Sequence, residues 1–228
     1  MKKLVIIPEY NEGDCIRQTI DNILEYADGY DYIVVNDCSR DKSAEILKAG
    51  DDPCLNLPVN LGIGGAVQTG YRFALEHGYT LAVQIDGDGQ HDARYLAKME
   101  KALFEQDAAM VIGSRFIDND GFQSTKLRRV GISYFSRLIR LVTGCLLTDP
   151  TSGMRMVGQE GIKLFAKNYP RDYPEAESLV YLLRKGKKVV EVPVVMQERQ
   201  GGVSSIRRTG AIYYMIKVTL AILIERIR

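Results

Sequence analysis

The sequence predicts an α/β protein: one mainly parallel sheet with helices on both faces. Three observations carry that prediction. Apolar runs of strand length alternate with longer segments of helical period. Polar clusters recur directly after those runs, where an open α/β sheet gathers its ligands. The 228 residues contain no repeat, low-complexity stretch or dividing linker, and a chain of that length buries one substantial core.

The elements follow in order. Leu4 to Ile7 reads as the first strand, and Asn11 to Tyr26 as a helix with Ile16, Ile20, Ile23 and Leu24 on its apolar side. Tyr32 to Val35 is the next strand, followed by a short helix from Ser39 to Ala49 capped by Ser39 or Asp41. Leu55 to Val59 is a strand weakened by Pro58. Gly64 to His77 is helical, Thr80 to Ile85 a strand, Ala93 to Gln106 a helix and Ala109 to Ser114 a strand. Lys126 to Gly144 reads as a helix with Leu127, Val130, Tyr134, Phe135, Leu138, Leu141 and Val142 on one face and arginines off it. Met154 to Val157 and Lys188 to Val195 are later strands, with a helix from Pro174 to Arg184 between them.

Composition excludes several classes. A hydrophobic content of 46% and a charged content of 26% are ordinary for a globular chain. A formal net charge of +1 gives no global drive toward nucleic acid. The four cysteines, at 15, 38, 54 and 145, have no metal-ligand spacing, and a reduced, cytoplasmic protein is the simplest account of them. Lys2 and Lys3 precede an apolar run, but Pro8-Glu9 stops it too early for a secretory signal.

The most informative motif is Asp86-Gly87-Asp88-Gly89-Gln90-His91, at the end of a buried strand. Residues i and i+2 of an extended segment point to one side, so Asp86 and Asp88 can aim two carboxylates at one point. Hard oxygen ligands among glycines suit Mg²⁺ or Mn²⁺ holding a diphosphate; an acidic turn is the plainer account. Three further clusters sit at the same predicted edge: Pro8 to Glu12, Asn36 to Asp41 and Gly113 to Arg115. The glycines at 62, 64 and 65 fit neither the dinucleotide fingerprint nor the P-loop, which disfavours a dehydrogenase or a P-loop ATPase. There is no G-x-S-x-G elbow either.

Taken together, V-I-I-P-E-Y-N-E (5–12), V-V-N-D-C-S-R-D (34–41), N-L-G-I-G-G-A (60–66), Q-I-D-G-D-G-Q-H (84–91), G-S-R-F (113–116), D-P-T-S-G-M-R (149–155) and R-Q-G-G-V-S-S (199–205) resemble family 2 glycosyltransferases of the GT-A fold. The likeness is greatest to the dolichol- or polyprenyl-phosphate sugar synthase branch and runs from residue 4 to about residue 205. It implies a GT-A domain over 1–205 and a C-terminal helix over 206–228, and an inverting, metal-dependent hexosyl transfer from a nucleotide sugar to polyprenyl phosphate. UDP-sugars are favoured as donor over GDP-sugars. Pro8, Tyr10, Glu12 and Asp37 are implied to hold base and ribose, and Val35 and Gly87 complete the donor set. Asp86 lies near sugar and nucleotide, Asp88 with Gln90 coordinates Mg²⁺ or Mn²⁺, and Arg115 and Arg199 meet phosphate. Asp86, Asp88, Arg115 and Arg199 form the implied catalytic set.

The acceptor stays open between a lipid phosphate and a glycan hydroxyl. A hydroxyl acceptor needs a base, for which Glu175 and Glu177 are candidates, although both also suit the first turn of a helix. Many members of the branch carry lysine where this chain has Ser205, with Arg207 and Arg208 following, and Cys38 stands where glycine or aspartate is usual. Ala211 to Ile224 is apolar but contains Lys217 and falls short of the roughly twenty residues a span requires. Flanked by arginines, it suits a helix at the inner membrane face, docked on a small membrane partner or packed on the core. A non-catalytic nucleotide-sugar-binding subunit is a further alternative; a nucleotidyltransferase is third, disfavoured by the lack of a basic P-loop-like element, and a homo-oligomer is compatible with each.

Overall fold

The computed structural model describes residues 1–198 and 208–227; Arg199, Ser205 and Arg207 therefore lie outside the described residues. Its strands are β1 (Lys3–Glu9), β2 (Tyr30–Asn36), β3 (Cys54–Asn56), β4 (Leu81–Gln84), β5 (Met110–Ser114), β6 (Arg155–Gly158) and β7 (Val189–Pro193). Among the described residues they form one seven-stranded sheet in the order β3-β2-β1-β4-β6-β5-β7. All neighbours pair in parallel except β6, which runs antiparallel to both β4 and β5.

Alternation along the strands builds two cores. Leu4 and Ile6 of β1, Ala82 of β4 and Met110 and Ile112 of β5 belong to one apolar cluster; Val5, Ile7, Leu81, Val83 and Val111 belong to the other. Helices α1 (Ile16–Tyr26) and α4 (Leu96–Glu105) feed the second cluster through Ile16, Ile20, Ile23, Leu96 and Met99. The first cluster takes α3 (Gly62–Glu76), α5 (Lys126–Thr143), α6 (Gln159–Lys167), α7 (Pro174–Arg184) and α8 (Arg208–Ile227). Each fully buried Ile, Leu or Phe contributes roughly 1.5–3 kcal/mol, so both faces are held mainly by these contacts. Helices cover both faces, as the pattern predicts.

Differences from the sequence reading have local causes. Helix α1 starts at Ile16 rather than Asn11 because Asn11 takes a left-handed φ of 56° and the Gly13 amide donates to Asp41 Oδ2 (2.9 Å). Residues 11–15 thus tie the first loop to the second. Helix α2 (Ser43–Ala49) starts where Asp41 Oδ1 accepts the Ser43 amide (3.0 Å), while Ser39 turns toward Glu9. The dense glycines of α3 serve close approach: a Cβ on Gly64 would lie 2.0 Å from the Pro170 carbonyl oxygen. Helix α6, unassigned from the sequence, buries Ile162 and Phe165. On α5 the core side is Ile132, Phe135 and Ile139, whereas Val130, Tyr134 and Leu141 of the predicted apolar stripe face outward. Gly144, at a left-handed φ of 76°, ends that helix.

Helix α8 runs from Arg208 to Ile227, longer than the predicted Ala211 to Ile224. Val218 and Ile222 enter the core against α5 and α7. Among the described residues no helix is long and apolar enough to cross a membrane.

Candidate active site

The carboxyl ends of β1, β2 and β4 bring three of the predicted clusters together. At the end of β1, Glu9 is buried and spans the first two loops: Oε1 accepts the Glu12 amide (2.9 Å) and Oε2 accepts the Ser39 hydroxyl (2.8 Å). The Asp37 amide in turn donates to the Glu9 carbonyl (2.8 Å). Burial pushes the Glu9 carboxyl up from its ordinary value, and the Ser43 and Ser39 hydroxyls oppose that shift. Pro8 lies opposite Val35 in the β1–β2 register, both buried, and Val35 packs into the core beneath the cleft. Tyr10, by contrast, is exposed at the loop's tip, where its ring is open to a flat partner.

Asp37 holds the start of α3. Its Oδ1 accepts the Leu61 amide (2.6 Å) and Oδ2 the Gly62 amide (2.9 Å), so two helix-start donors are satisfied by one buried carboxylate. Burial raises its carboxyl, the two amides hold it back, and Glu9 repels it. Each oxygen keeps a second lone-pair direction for a ligand donor. Cys38, beside it, takes a left-handed φ of 63°, and its thiol is free.

The Asp86–His91 turn is fixed from within. Gln84 Nε2 donates to Asp86 Oδ1 (2.7 Å), and the Asp86 amide donates to His91 Nδ1 (3.1 Å). His91 is buried, and that contact leaves the neutral ring's proton on Nε2, 4.0 Å from Asp86 Oδ2. The histidine is therefore a latch for the turn. Asp88 Oδ1 accepts the Gln90 amide (3.1 Å), and Gln90 Nε2 donates to the Gln197 carbonyl (3.2 Å). Desolvation raises the Asp88 carboxyl and repulsion from Asp86 adds to it. Gly87 donates its amide to the Pro8 carbonyl (3.3 Å), joining this turn to the first loop.

The 149–155 segment closes over the same turn. A Cβ on Gly153 would meet Asp86 Oδ2 at 2.4 Å and His91 Cε1 at 3.2 Å. Gly153→Ala is therefore expected to push Asp86 off its position and lower activity at this site at least tenfold, a cost of about 1.4 kcal/mol in the barrier. Steady-state kinetics check it, and a melting temperature near the parent's separates the effect from unfolding.

Three charges hold that segment: Arg115 and Arg155, which are buried, and Glu191, which is half-buried. Arg115, at the end of β5, is clamped by Asp149 through Nε–Oδ2 (2.6 Å) and Nη2–Oδ1 (2.8 Å), with both side chains buried. Glu191 of β7 accepts the amides of Thr148 (2.6 Å) and Asp149 (2.7 Å). Arg155, fully buried at the start of β6, donates to the carbonyls of Ser152 (2.7 Å), Pro150 (2.9 Å) and Glu175 (2.5 Å) and to Ser178 Oγ (2.9 Å). The sequence reading places Arg115 on phosphate; the structure gives it a deep pairing with Asp149. Glu9, Asp149, Arg155 and Glu191 were not singled out from the sequence. Arg155 and Glu191 nevertheless carry a signal there, as charges inside apolar strand runs, which is where a buried network must enter.

Glu175 and Glu177 lie in the first turn of α7. Burial pushes the Glu175 carboxyl up and the Arg155 guanidinium opposes this, while the Glu175 carbonyl accepts Arg155 Nη1 (2.5 Å). Among the described residues no three His, Cys, Asp or Glu side chains cluster as a self-contained metal site.

A family model described as Glycosyl transferase family 2 matches residues 4–165. The undecaprenyl-phosphate mannosyltransferase of Micrococcus luteus is 31% identical over 221 residues, covering 90% of this chain and 88% of that protein. The UDP-N-acetylglucosamine–dolichyl-phosphate N-acetylglucosaminyltransferase of Methanococcus voltae is 28% identical over 211 residues, 83% of each chain. Among solved structures, glucosyl-3-phosphoglycerate synthase from Mycobacterium tuberculosis in complex with phosphoglyceric acid superposes with a TM-score of 0.74 at 20% identity, over 99% of this chain and 79% of that one. At that identity the likeness is one of fold. This chain belongs to glycosyl transferase family 2, with the GT-A fold, in the branch of polyprenyl-phosphate sugar synthases.

Proposed function

We propose that the protein transfers a hexose from a nucleoside diphosphate sugar, UDP-linked by preference, to polyprenyl phosphate at the cytoplasmic face of a membrane, with inversion at the anomeric carbon. The observation that carries this reading is the Asp86/Asp88 pair, held at the sheet's edge with Asp88 pushed up by burial and by its neighbour. Two carboxylates that repel each other in a half-buried turn are a site that a divalent cation relieves. Gln90, its amide nitrogen committed to Gln197, has its oxygen end left as an acceptor. These groups fit Mg²⁺ or Mn²⁺, with Asp88 and Gln90 as the protein's ligands and the donor diphosphate completing the set. When bound, such an ion neutralises charge on the departing diphosphate.

The chain's own residues do the rest. Tyr10 offers a ring face to the base, Asp37 and Glu12 accept from base and ribose, and Pro8, Val35 and Gly87 shape the floor. Asp86, fixed by Gln84 and by the backbone contact to His91, orients the sugar. Arg115 and Arg199 supply positive charge toward the phosphates, Arg115 from behind its pair with Asp149. An acceptor phosphate oxygen, ionised near neutral pH, forms the new bond to the anomeric carbon as the bond to the diphosphate breaks; no base is required. The relatives that carry lipid-phosphate names support this acceptor.

One observation favours a second reading, a hydroxyl acceptor. Glu175, at the start of α7 with its carbonyl on the buried Arg155, has its carboxyl raised by burial, the direction a general base needs. One experiment separates the two: transfer of radiolabel from UDP-, GDP- and dTDP-sugars, with Mg²⁺ or Mn²⁺, into butanol-extractable undecaprenyl phosphate. Metal-dependent label in the lipid is expected. Label that enters only a soluble glycan moves the acceptor to the hydroxyl class. Donor binding without any turnover makes the chain a binding subunit.

A further inference from the structure

The loop between β5 and α5 carries a polar atom that none of the described residues satisfies. Gln123 Nε2 donates to the Arg115 carbonyl (2.9 Å) and to the Asp120 carbonyl (3.0 Å), which uses both its hydrogens. Those two partners fix the orientation of the amide, since a reversed amide would set oxygen against oxygen. The amide oxygen, Oε1, is closed off from bulk solvent and has no hydrogen-bond partner. A buried acceptor left unpaired is costly, and it calls for a donor. The backbone around it is strained: Asn119 and Ser124 hold left-handed φ values of 59° and 67°.

Gln123 stands at the catalytic edge. Strands β4 and β5 are separated by β6 alone, which runs antiparallel to both, so their carboxyl ends share one edge about 10 Å apart. Two chains of contacts tie the loop to the Asp86–His91 turn. Next to Gln123, the Phe122 amide donates to the Met196 carbonyl (3.0 Å), and the following amide, of Gln197, donates to the Gln90 carbonyl (3.0 Å). On the other side Arg115, whose carbonyl Gln123 holds, donates to Asp149 and to Thr151 Oγ1 (3.3 Å), in the segment whose Gly153 abuts Asp86.

We infer that Gln123 Oε1 accepts a hydrogen bond from a hydroxyl of the donor hexose and so helps to select which hexose is transferred. The assignment rests on the nucleotide-sugar reading: with the base at β1 and β2 and the diphosphate at Asp88, the hexose extends toward β6 and β5. Ionised phosphates are acceptors and cannot fill the role, and a polyprenyl chain has no donor to offer. A hexose hydroxyl does. Because Oε1 is already stripped of water in the free protein, a hydroxyl of the right orientation gains a full bond there. An epimer that turns that hydroxyl away leaves the oxygen unpaired.

The test is a cycle between side chain and sugar. The preferred donor among UDP-glucose, UDP-galactose and GDP-mannose is compared with its 2-, 3-, 4- and 6-deoxy forms, in the parent and in Gln123→Leu. Calorimetry with Mn²⁺ reads binding, and kcat/KM reads transfer to undecaprenyl phosphate. In the parent, one deoxy donor is expected to lose about tenfold or more. In Gln123→Leu the full hexose should fall to that level, while the same deoxy donor stays within about twofold of its value in the parent. A merely structural role weakens every donor alike. Equal penalties across the donors therefore overturn the inference, and so does a parent that tolerates the loss of each hydroxyl. That last result needs no variant, so it decides the matter even if Gln123→Leu, checked by thermal melting, does not fold. Coupled losses in calorimetry without transfer to undecaprenyl phosphate would sink the functional reading and leave Gln123 assigned. Transfer with equal penalties would do the reverse.

Discussion

Asp88→Asn is expected to lower hexosyl transfer by about three orders of magnitude while leaving the protein folded and, without divalent ion, at least as stable as the parent. The two halves have one cause. Asp88 is carried into a half-buried turn beside Asp86, and desolvation first, then repulsion, raise its carboxyl. A carboxyl whose folded-state value is raised binds its proton more tightly folded than unfolded. Stability is therefore lost as pH rises through that raised range and recovered as pH falls below it. The amide variant lacks the titration, so its advantage over the parent should be present at neutral pH and shrink on acidification. Thermal melts across that range, with and without Mn²⁺ and UDP, read the effect: ligand should raise the parent's melting temperature and leave the variant's nearly unmoved. Normal transfer by Asp88→Asn would remove the metal assignment.

The same turn shows what was legible in the sequence and what was not. Strand-end polar clusters after β1, β2 and β4 were readable because apolar strand runs are short and their ends abrupt, and an open α/β sheet collects those ends on one side. The antiparallel direction of β6 was not readable: a four-residue apolar run looks the same in either direction, and the long α5 excursion before it fixes no hand. The outward turn of Val130 and Leu141 was hidden for a related reason. Helical spacing groups apolar residues on one arc but does not say which part of that arc the core takes. Nor could spacing pair Arg115 with Asp149, 34 residues away, since that contact depends on how β5 and the 149–155 segment meet. Arginine near a phosphate site reads as a phosphate ligand until its partner is seen.

That partner supplies the second large effect. Asp149→Ala is expected to destabilise the fold by about 3–5 kcal/mol, because it strands the Arg115 guanidinium in a buried setting with its two shortest bonds gone. For a chain of this size that corresponds to a fall in melting temperature of about 10 °C. The loss extends beyond one ion pair. Alanine keeps the backbone bonds of residue 149 to Glu191 and to the Ser152 amide (3.2 Å), but loses the carboxylate that ties Arg115 and Thr151 Oγ1 (3.2 Å) to the segment, so the segment that sets Gly153 against Asp86 loosens. Removing both charges separates scaffold from chemistry. Arg115→Leu/Asp149→Leu should recover much of the stability, since a buried pair replaced by apolar groups costs far less than a broken one. Transfer should stay low in that double variant if the Arg115 charge acts on the donor phosphates. Recovery of transfer along with stability would assign Arg115 to holding the 149–155 segment alone.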